Sequence, residues 1–250
     1  KRGSLFTVFL RSFFIHATLN FRRMQNIGFV YVMIPLLKER KLSEKDKNDF
    51  LQRHLQMFST QPNLSAPLIG SILRMEEERP GDGDASPIMM VKQNLMGPYA
   101  AIGDTFFWGA LRPCAGIFAV GLAGLGWMPA PLAFILVYVP AFFWVRTEGF
   151  LEGYRRGKQG IEFVRKMNLP QIAVRVQWFS LPVLAVFGVW LLRSEYAAFK
   201  FAPHLPIAAV SLAMILFCWL MIKKGVSQVY LLYGAAVLFL LVTLSKELFL

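Results

Sequence analysis

Three polar residues within an apolar run are the first candidates for chemistry: Asp104, Trp108 and Arg112. They follow one another at four-residue steps, so on a helix they share one face. Asp104 and Arg112 would lie about 12 Å apart along the axis, which is too far for an ion pair. Ionisable residues at membrane depth are costly and usually functional, which favours a polar binding site. The alternative is structural: a capping Asp, an interfacial Trp and a snorkelling Arg.

The segment around these residues, KQNLMGPYAAIGDTFFWGALRPCAG (92–116), contains the pairs Gly97-Pro98 and Gly103-Asp104. Proline removes a backbone donor and glycine frees φ, so we expect the helix to break and restart here. A second interrupted run, STQPNLSAPLIG (59–70), precedes it by about forty residues. Paired broken segments predict a substrate site between half-helices. The alternative for residues 59–70 is a surface loop rich in turn formers.

The composition indicates an integral membrane protein. The 250 residues are 56% apolar and include 23 Phe, and the mean hydropathy is +0.47. A soluble domain of this size could not hide so much apolar surface. We therefore predict an all-α integral membrane protein. It should contain interfacial amphipathic helices (4–20 and 21–37), two broken or re-entrant segments, and a C-terminal set of transmembrane helices at 176–192, 205–222 and 229–245.

Basic residues lie between the apolar segments rather than on one face, although the net charge is +12. The positive-inside rule explains this surplus without a nucleic-acid partner, and it predicts that residues 146–175 are cytoplasmic. Residues 76–87 (EEERPGDGDASP) are expected to form a solvated cytoplasmic loop. Ser43 predicts the start of a cytoplasmic helix with apolar residues Leu51, Leu55 and Phe58.

Residues for covalent or metal chemistry are sparse. The three histidines, His16, His54 and His204, form no credible triad, and the sequence has no Walker loop or HExxH. Cys114 and Cys218 have no partner at metal-ligand spacing. We predict no catalytic residue, no metal site and no cofactor, and a solvated structural role for His54.

Four stretches in the first two thirds of the chain together resemble the IID subunit of mannose/fructose/sorbose-type phosphotransferase (PTS) sugar permeases. They are LNFRRMQNIGF (19–29), RHLQMFSTQPNLSAPLIG (53–70), MEEER (75–79) and LMGPYAAIGDTFFWGALRP (95–113). Their order and spacing match over roughly residues 5–165, whereas the remainder agrees only in hydropathy. The resemblance thus divides the chain into an IID core region (1–165) and C-terminal transmembrane helices (166–250).

The resemblance implies a multi-pass, non-catalytic subunit in the bacterial cytoplasmic membrane. It would assemble with a IIC partner, usually as a trimer of heterodimers, and translocate a hexose-type sugar. Soluble IIA and IIB proteins would carry the phosphoryl group, and IIB would transfer it to the sugar.

The predicted substrate-binding residues are Ser59, Thr60, Gln61, Asp104 and Trp108. The family motif N-T-Q-P is here Ser59 to Pro62, and its G-D-P is Gly103 to Thr105. The loss of an amide and of a proline leaves a second hypothesis open, which is a degenerate IID that acts as a membrane scaffold or sugar-status sensor.

Overall fold

The computed structural model describes residues 2–40, 42–80, 83–198, 213, 216–227, 229–231 and 233–237, and these residues are almost entirely helical. A π-helical segment, Asp104–Leu111, follows α5, and a 3-10 turn, Gly157–Gly160, follows α7. The α-helices are α1 (Arg2–Ser12), α2 (Asn26–Glu39), α3 (Glu44–His54), α4 (Ser65–Glu78), α5 (Ser86–Gly103), α6 (Arg112–Gly124), α7 (Ala130–Arg156), α8 (Ile161–Lys166) and α9 (Leu169–Ala198).

The chain forms two compact units, residues 1–188 and 189–250. The first unit holds the core and every element discussed below. In the second, described residues 216–223 and 233–237 are helical. No strand is present in the described ranges, which agrees with the predicted all-α class. The division at 165/166 concerns sequence character and stays a prediction.

Helix α4 lies at the centre of the first unit, and its first nine residues are all buried. It packs backbone to backbone against α7. A Cβ built on Gly149 would lie 2.5 Å from Pro67 Cγ, and one built on Gly153 would overlap the Pro67 carbonyl and lie 3.0 Å from Ser71 N. On α4, Gly70 faces the backbone of Phe150 equally closely. The contact therefore depends on glycines from both helices.

The N-terminal helices are shorter than predicted. Helix α1 ends at Ser12 and a series of turns follows, so His16 and Asn20 do not extend a helical stripe over 4–20. Helix α2 starts at Asn26 and continues through Pro35, which is buried inside it. Asn20 instead pairs with Met24, and Met24 pairs with Phe58, in two isolated bridges.

Helix α3 begins as predicted, because the Ser43 side chain accepts a hydrogen bond from the Asp46 N–H. Its buried residues, however, are Phe50 and His54, whereas Leu51 is only partly buried. Phe58 is buried too, but it lies beyond the helix. The buried face of α3 therefore begins one residue earlier than predicted, at Phe50 instead of Leu51.

The helix does not break at Gly103-Asp104 as expected; its winding changes there instead. Residues 86–124 make one continuous helical rod in which Asp104–Leu111 is π-helical, and the Arg112 N–H donates to Phe107 O, five residues back. Gly103 has a helical φ of −67°. The wider winding disturbs the backbone ladder, and Gln177 of α9 donates to the Gly109 carbonyl at 3.1 Å. The interruption is thus a π segment, and the helix does not end and restart.

Three helical stretches are long and apolar enough to cross a membrane within the described part of the chain: Ser86–Gly124, Ala130–Gly160 and Glu162–Trp190. Their outer faces are apolar and open; Trp178 and Val186, for example, are both 70% exposed. Such faces need lipid or a partner helix. The first predicted C-terminal span (176–192) overlaps the third stretch, whereas 205–222 and 229–245 lie largely outside the described residues.

Substitution of Gly153 by Ala should destabilise the fold, because the new Cβ would overlap the backbone of α4. Overpacking of this kind typically costs about 1–3 kcal/mol. We expect a lower thermal unfolding midpoint for the chain when it is purified in mild detergent together with the IIC partner that the resemblance implies.

Gly97→Ala is the matched control, since Gly97 lies inside α5 and a Cβ there has nothing within 4 Å. Ala stabilises an unconstrained helix by up to about 1 kcal/mol relative to Gly. Equal midpoints for the two variants would contradict the close α4–α7 contact.

Candidate functional site

The polar loop (residues 59–64) enters α4 and carries three of the predicted site residues. Gln25, at the start of α2, holds it from one side. The Gln25 side chain donates through Nε2 to Thr60 O at 2.7 Å and accepts from Thr60 N at 3.2 Å. The Gln25 backbone N–H also donates to Phe58 O at 2.8 Å. One side chain therefore binds both the N–H and the carbonyl of the Thr60 backbone.

Gln61 organises the turn into α4. Its Oε1 accepts from the backbone N–H groups of Asn63 at 2.6 Å and Leu64 at 3.1 Å. Its backbone carbonyl accepts from Leu64 and Ser65, at 3.0 Å each. The side-chain oxygen thus satisfies N–H groups that the start of a helix leaves open. The oxygen of this side-chain amide therefore has hydrogen-bond partners, whereas its nitrogen has none among the described residues.

The polar loop meets the π segment at Gly103. A Cβ on Gly103 would lie 2.6 Å from Gln61 Cβ and 3.0 Å from Gln61 Oε1, so only glycine fits here. The residue after this glycine is Asp104. The structure thus brings the two polar segments, forty residues apart in the chain, into direct contact.

Asp104, Trp108 and Arg112 share one exposed face of the rod, as their spacing predicts. The Trp108 side chain is 47% exposed. Asp104 lies inside the continuous rod, and neither the π segment nor α6 has a side-chain cap, so Asp104 does not cap a helix. This face is open, whereas Thr60 and Gln61 beside it are buried and Ser59 is half-buried.

Two buried polar atoms of the loop have no hydrogen-bond partner in the described part of the structure. They are Thr60 Oγ1 and Gln61 Nε2. An unsatisfied buried donor or acceptor costs about 1–3 kcal/mol. Both atoms belong to residues that the sequence singled out, and Gln61 is the residue that contacts Gly103. The arrangement offers hydrogen bonds from two segments to a polar molecule or to another chain.

A second polar cluster lies at the far end of α4, around the fully buried carboxylate of Glu76. Arg53 binds it through two nitrogens, at 3.0 and 3.3 Å, and His54 Nε2 lies 2.9 Å from Oε1. Arg40 donates to the carbonyls of Glu76 and Arg79, at 2.5 and 2.6 Å, and so covers the end of the helix. The expectation that residues 76–87 form a solvated loop is therefore wrong for Glu76, and His54 is fully buried rather than solvated.

This second cluster is structural. Burial lowers the pKa of His54 to about 4, even though Glu76 favours the protonated ring. Burial alone would raise the Glu76 pKa, but the hydrogen bond from His54 and the charge of Arg53 hold it well below its usual range. At neutral pH a neutral His54 therefore donates to an ionised Glu76. Within the described ranges, no three His, Cys, Asp or Glu residues are grouped to hold a metal ion.

The comparison with known families decides the identity of the chain. The PTS system mannose/fructose/sorbose family IID component matches residues 1–248. The chain belongs to this IID family. The IID chain is 36% identical over 160 residues to the fructose permease IID component of Bacillus subtilis and 35% identical over 190 residues to the sorbose-specific EIID component of Klebsiella pneumoniae. It is also 35% identical over 164 residues to the mannose-specific EIID component of Escherichia coli.

These alignments cover only part of each relative. They include 63% of the IID chain and 58% of the Bacillus protein, and 64% and 57% for the Escherichia protein. The Klebsiella alignment covers 75% and 68%. The chain thus spans less than two thirds of the Bacillus and Escherichia proteins.

Two solved structures share the fold over nearly the whole chain. One, described as a membrane protein, has a TM-score of 0.69 at 25% identity and covers 96% of this chain and 95% of its own. The other comes from a complex of the mannose transporter ManYZ with microcin E492, with a TM-score of 0.58 at 26% identity and the same coverage. The fold of this IID chain is therefore that of a transporter subunit.

The sequence did not predict three contacts to the polar loop of this IID chain: those of Gln25 with Thr60, of Gly103 with Gln61, and of Arg146 with Pro62 O. Nothing in the local sequence singled out Gln25, because its partner Thr60 is thirty-five residues away. Gly103 was noticed, but as a helix breaker. Arg146 offered a signal, since a single arginine closes the apolar run of 129–145.

The stability of the protein should fall with acidity because of His54. A group whose pKa is lower in the folded state contributes stability above its unfolded pKa and loses it as the pH falls. For His54 this window runs from 6.5 down to about 4. We expect the free energy of unfolding to decrease across it by at most about 1.4 kcal/mol per pH unit.

His54→Gln provides the comparison, since an amide can still donate to Glu76 but does not titrate. The variant should be less stable than wild type at pH 7.5 and show a flatter dependence between pH 6.5 and 5. Thermal unfolding of the chain copurified with IIC in detergent, at several pH values, measures both. The same slope in the two proteins would contradict a buried neutral His54.

Proposed function

We propose that this chain is the non-catalytic IID subunit of a PTS permease that, with a IIC partner, moves a hexose-type sugar into the cell. IIB phosphorylates the sugar, and IIA supplies the phosphoryl group to IIB. Relatives named for fructose, mannose and sorbose support this substrate class. The proposal includes the bacterial cytoplasmic membrane, a trimer of IIC/IID heterodimers, and a cytoplasmic location for residues 76–87 and 146–175.

The contact between Gln61 and Gly103 is the observation that carries this proposal. It joins the polar loop to an open face with a carboxylate, within a rod long enough to span the membrane. Sugars present many hydroxyl groups, and each needs a donor or an acceptor once it leaves water. A site made from two segments can supply several such groups at once.

The predicted site residues take complementary roles in this proposal. Asp104 accepts hydrogen bonds from sugar hydroxyls, and Trp108 offers an apolar face with a polar edge. Gln61 Nε2 and Thr60 Oγ1, which have no partner in the described structure, complete the set, and Ser59 lies at its edge. Because Thr60 and Gln61 are buried, they contact the sugar or IIC only when neighbouring residues shift.

A second function rests on the departures from the family motif. Ser59 stands where the family has Asn, and Thr105 stands where it has Pro. A degenerate IID with these changes would act as a membrane scaffold or sugar-status sensor. The two functions differ in one measurable property, which is sugar uptake by the assembled complex.

Asp104→Asn tests the sugar site. The change keeps the size of the side chain but removes charge-assisted hydrogen bonds worth about 1.5–3 kcal/mol. Uptake efficiency of cells with the cognate IIC, IIB and IIA proteins should therefore fall roughly tenfold to a hundredfold. Copurification with IIC, measured in the same samples, should be unchanged.

Asp49→Asn is the control, because Asp49 lies on the exposed face of α3. This variant should transport like wild type. Normal uptake and phosphorylation by the Asp104 variant would remove Asp104 from the sugar site. A wild-type complex that assembles but takes up no hexose would favour the scaffold.

Assembly with IIC should determine whether the chain is stable in a membrane. The open apolar faces and the unpartnered polar atoms of the loop both call for a second chain. Expressed alone, the chain should aggregate or be degraded, whereas coexpression should give a stable complex. A monodisperse monomer in mild detergent without IIC would argue against an obligate partner.

A further inference from the structure

Arg146 of α7 connects the polar loop to two helices from a fully buried position. Its side chain is 1% exposed. Nη1 donates to Pro62 O at 2.5 Å, and Nη2 lies 3.0 Å from Ser12 Oγ on α1. Pro62 directly follows Gln61, so Arg146 binds the loop next to the residue that forms its turn.

The charge of Arg146 is only partly compensated. The guanidinium carbon lies 4.3 Å from the centre of the Phe13 ring and 5.6 Å from that of Phe142, so aromatic faces take the place of a carboxylate. Its Nε is buried and has no partner among the described residues. By contrast, the carboxylate of Glu76 is surrounded by cations. An apolar side chain of similar volume would fill the Arg146 site at lower cost.

The planar fork of Arg146 donates to Pro62 O and Ser12 Oγ from two separate nitrogens in a fixed geometry, which the single ammonium of a lysine does not reproduce. Two further residues contact the same loop: Gln25 binds the Thr60 backbone, and Gly103 packs against Gln61. We propose that Arg146 is a positioning residue, which fixes the polar loop so that Thr60 and Gln61 face the sugar in the geometry that binds it. The link to sugar rests on the proposed function, whereas the link to loop order does not.

Arg146→Lys separates positioning from general stability, because it keeps the charge but loses the fork. Hydrogen exchange of the IIC-bound protein should show faster exchange of the backbone amides of the loop. The amides of α4 (Ser65–Glu78) should exchange as in wild type. Arg156→Lys is the matched control: Arg156 lies on the same helix, 50% exposed and paired with Glu152 at 2.6 Å, and it should change neither segment.

Sugar transport provides the second measurement. The lysine variant should raise the half-saturating sugar concentration roughly tenfold, with little change in maximal uptake, because one charge-assisted hydrogen bond to the loop is lost. Ser12→Ala removes the other end of the fork and should have a smaller effect in the same direction. This second variant keeps the proposal testable if Arg146→Lys does not fold.

Three results would overturn the proposal. Unchanged loop exchange in both variants would show that Arg146 does not order the loop. Equally faster exchange in the loop and in α4 would show a general structural role. A wild-type half-saturation in a variant with a disordered loop would show that the loop does not set sugar affinity. Failure of the wild-type complex to transport any hexose would instead reject the proposed function, and loop exchange would still test the positioning.

Discussion

The close contact between α4 and α7 is the constraint on which the rest of the first unit depends. The two backbones touch because Gly70 on one helix and Gly149 and Gly153 on the other carry no Cβ. Such a contact fixes the register of the helices, since a shift by one residue would place side chains where there is no room. Arg146 precedes Gly149 by three residues on the same face of α7. The register of α7 against α4 therefore also determines where along the polar loop Arg146 makes its contact.

The polar loop is held by a different kind of contact at each of three successive residues, Thr60, Gln61 and Pro62. Gln25 pairs with the Thr60 backbone, Arg146 reaches the Pro62 carbonyl, and Gly103 admits the Gln61 side chain by steric fit alone. None of these contacts is local in sequence. A loop fixed in this way is pre-organised, so the sugar binding that we propose would cost it little conformational freedom.

The sequence was informative wherever a signal is local. Hydropathy predicted the all-α membrane class, and Ser43 predicted the start of α3. It failed where two distant segments decide the outcome. Gly103 suggested a helix break because glycine frees φ, but the protein uses its missing Cβ for close approach and keeps it helical. The buried pair His54 and Glu76, twenty-two residues apart, could not be inferred from helical periodicity for the same reason.

The two polar clusters of the first unit differ in how well their charges and hydrogen bonds are matched. Around Glu76, several cations surround one carboxylate, and the backbone carbonyls at the end of α4 accept the remaining donors of Arg40. Among the described residues, His54 Nδ1 makes no hydrogen bond there, and Arg79 Nε lies 3.5 Å from Glu76 Oε2 as part of the same ion-pair cluster. At the polar loop, Thr60, Gln61 and Arg146 each retain a buried atom that has no partner among the described residues. Folding alone favours complete networks, because each unmatched group costs stability. The incomplete network at the meeting point of two segments supports our proposal that the polar loop binds a ligand, whereas the Glu76 carboxylate is matched by cations within the fold.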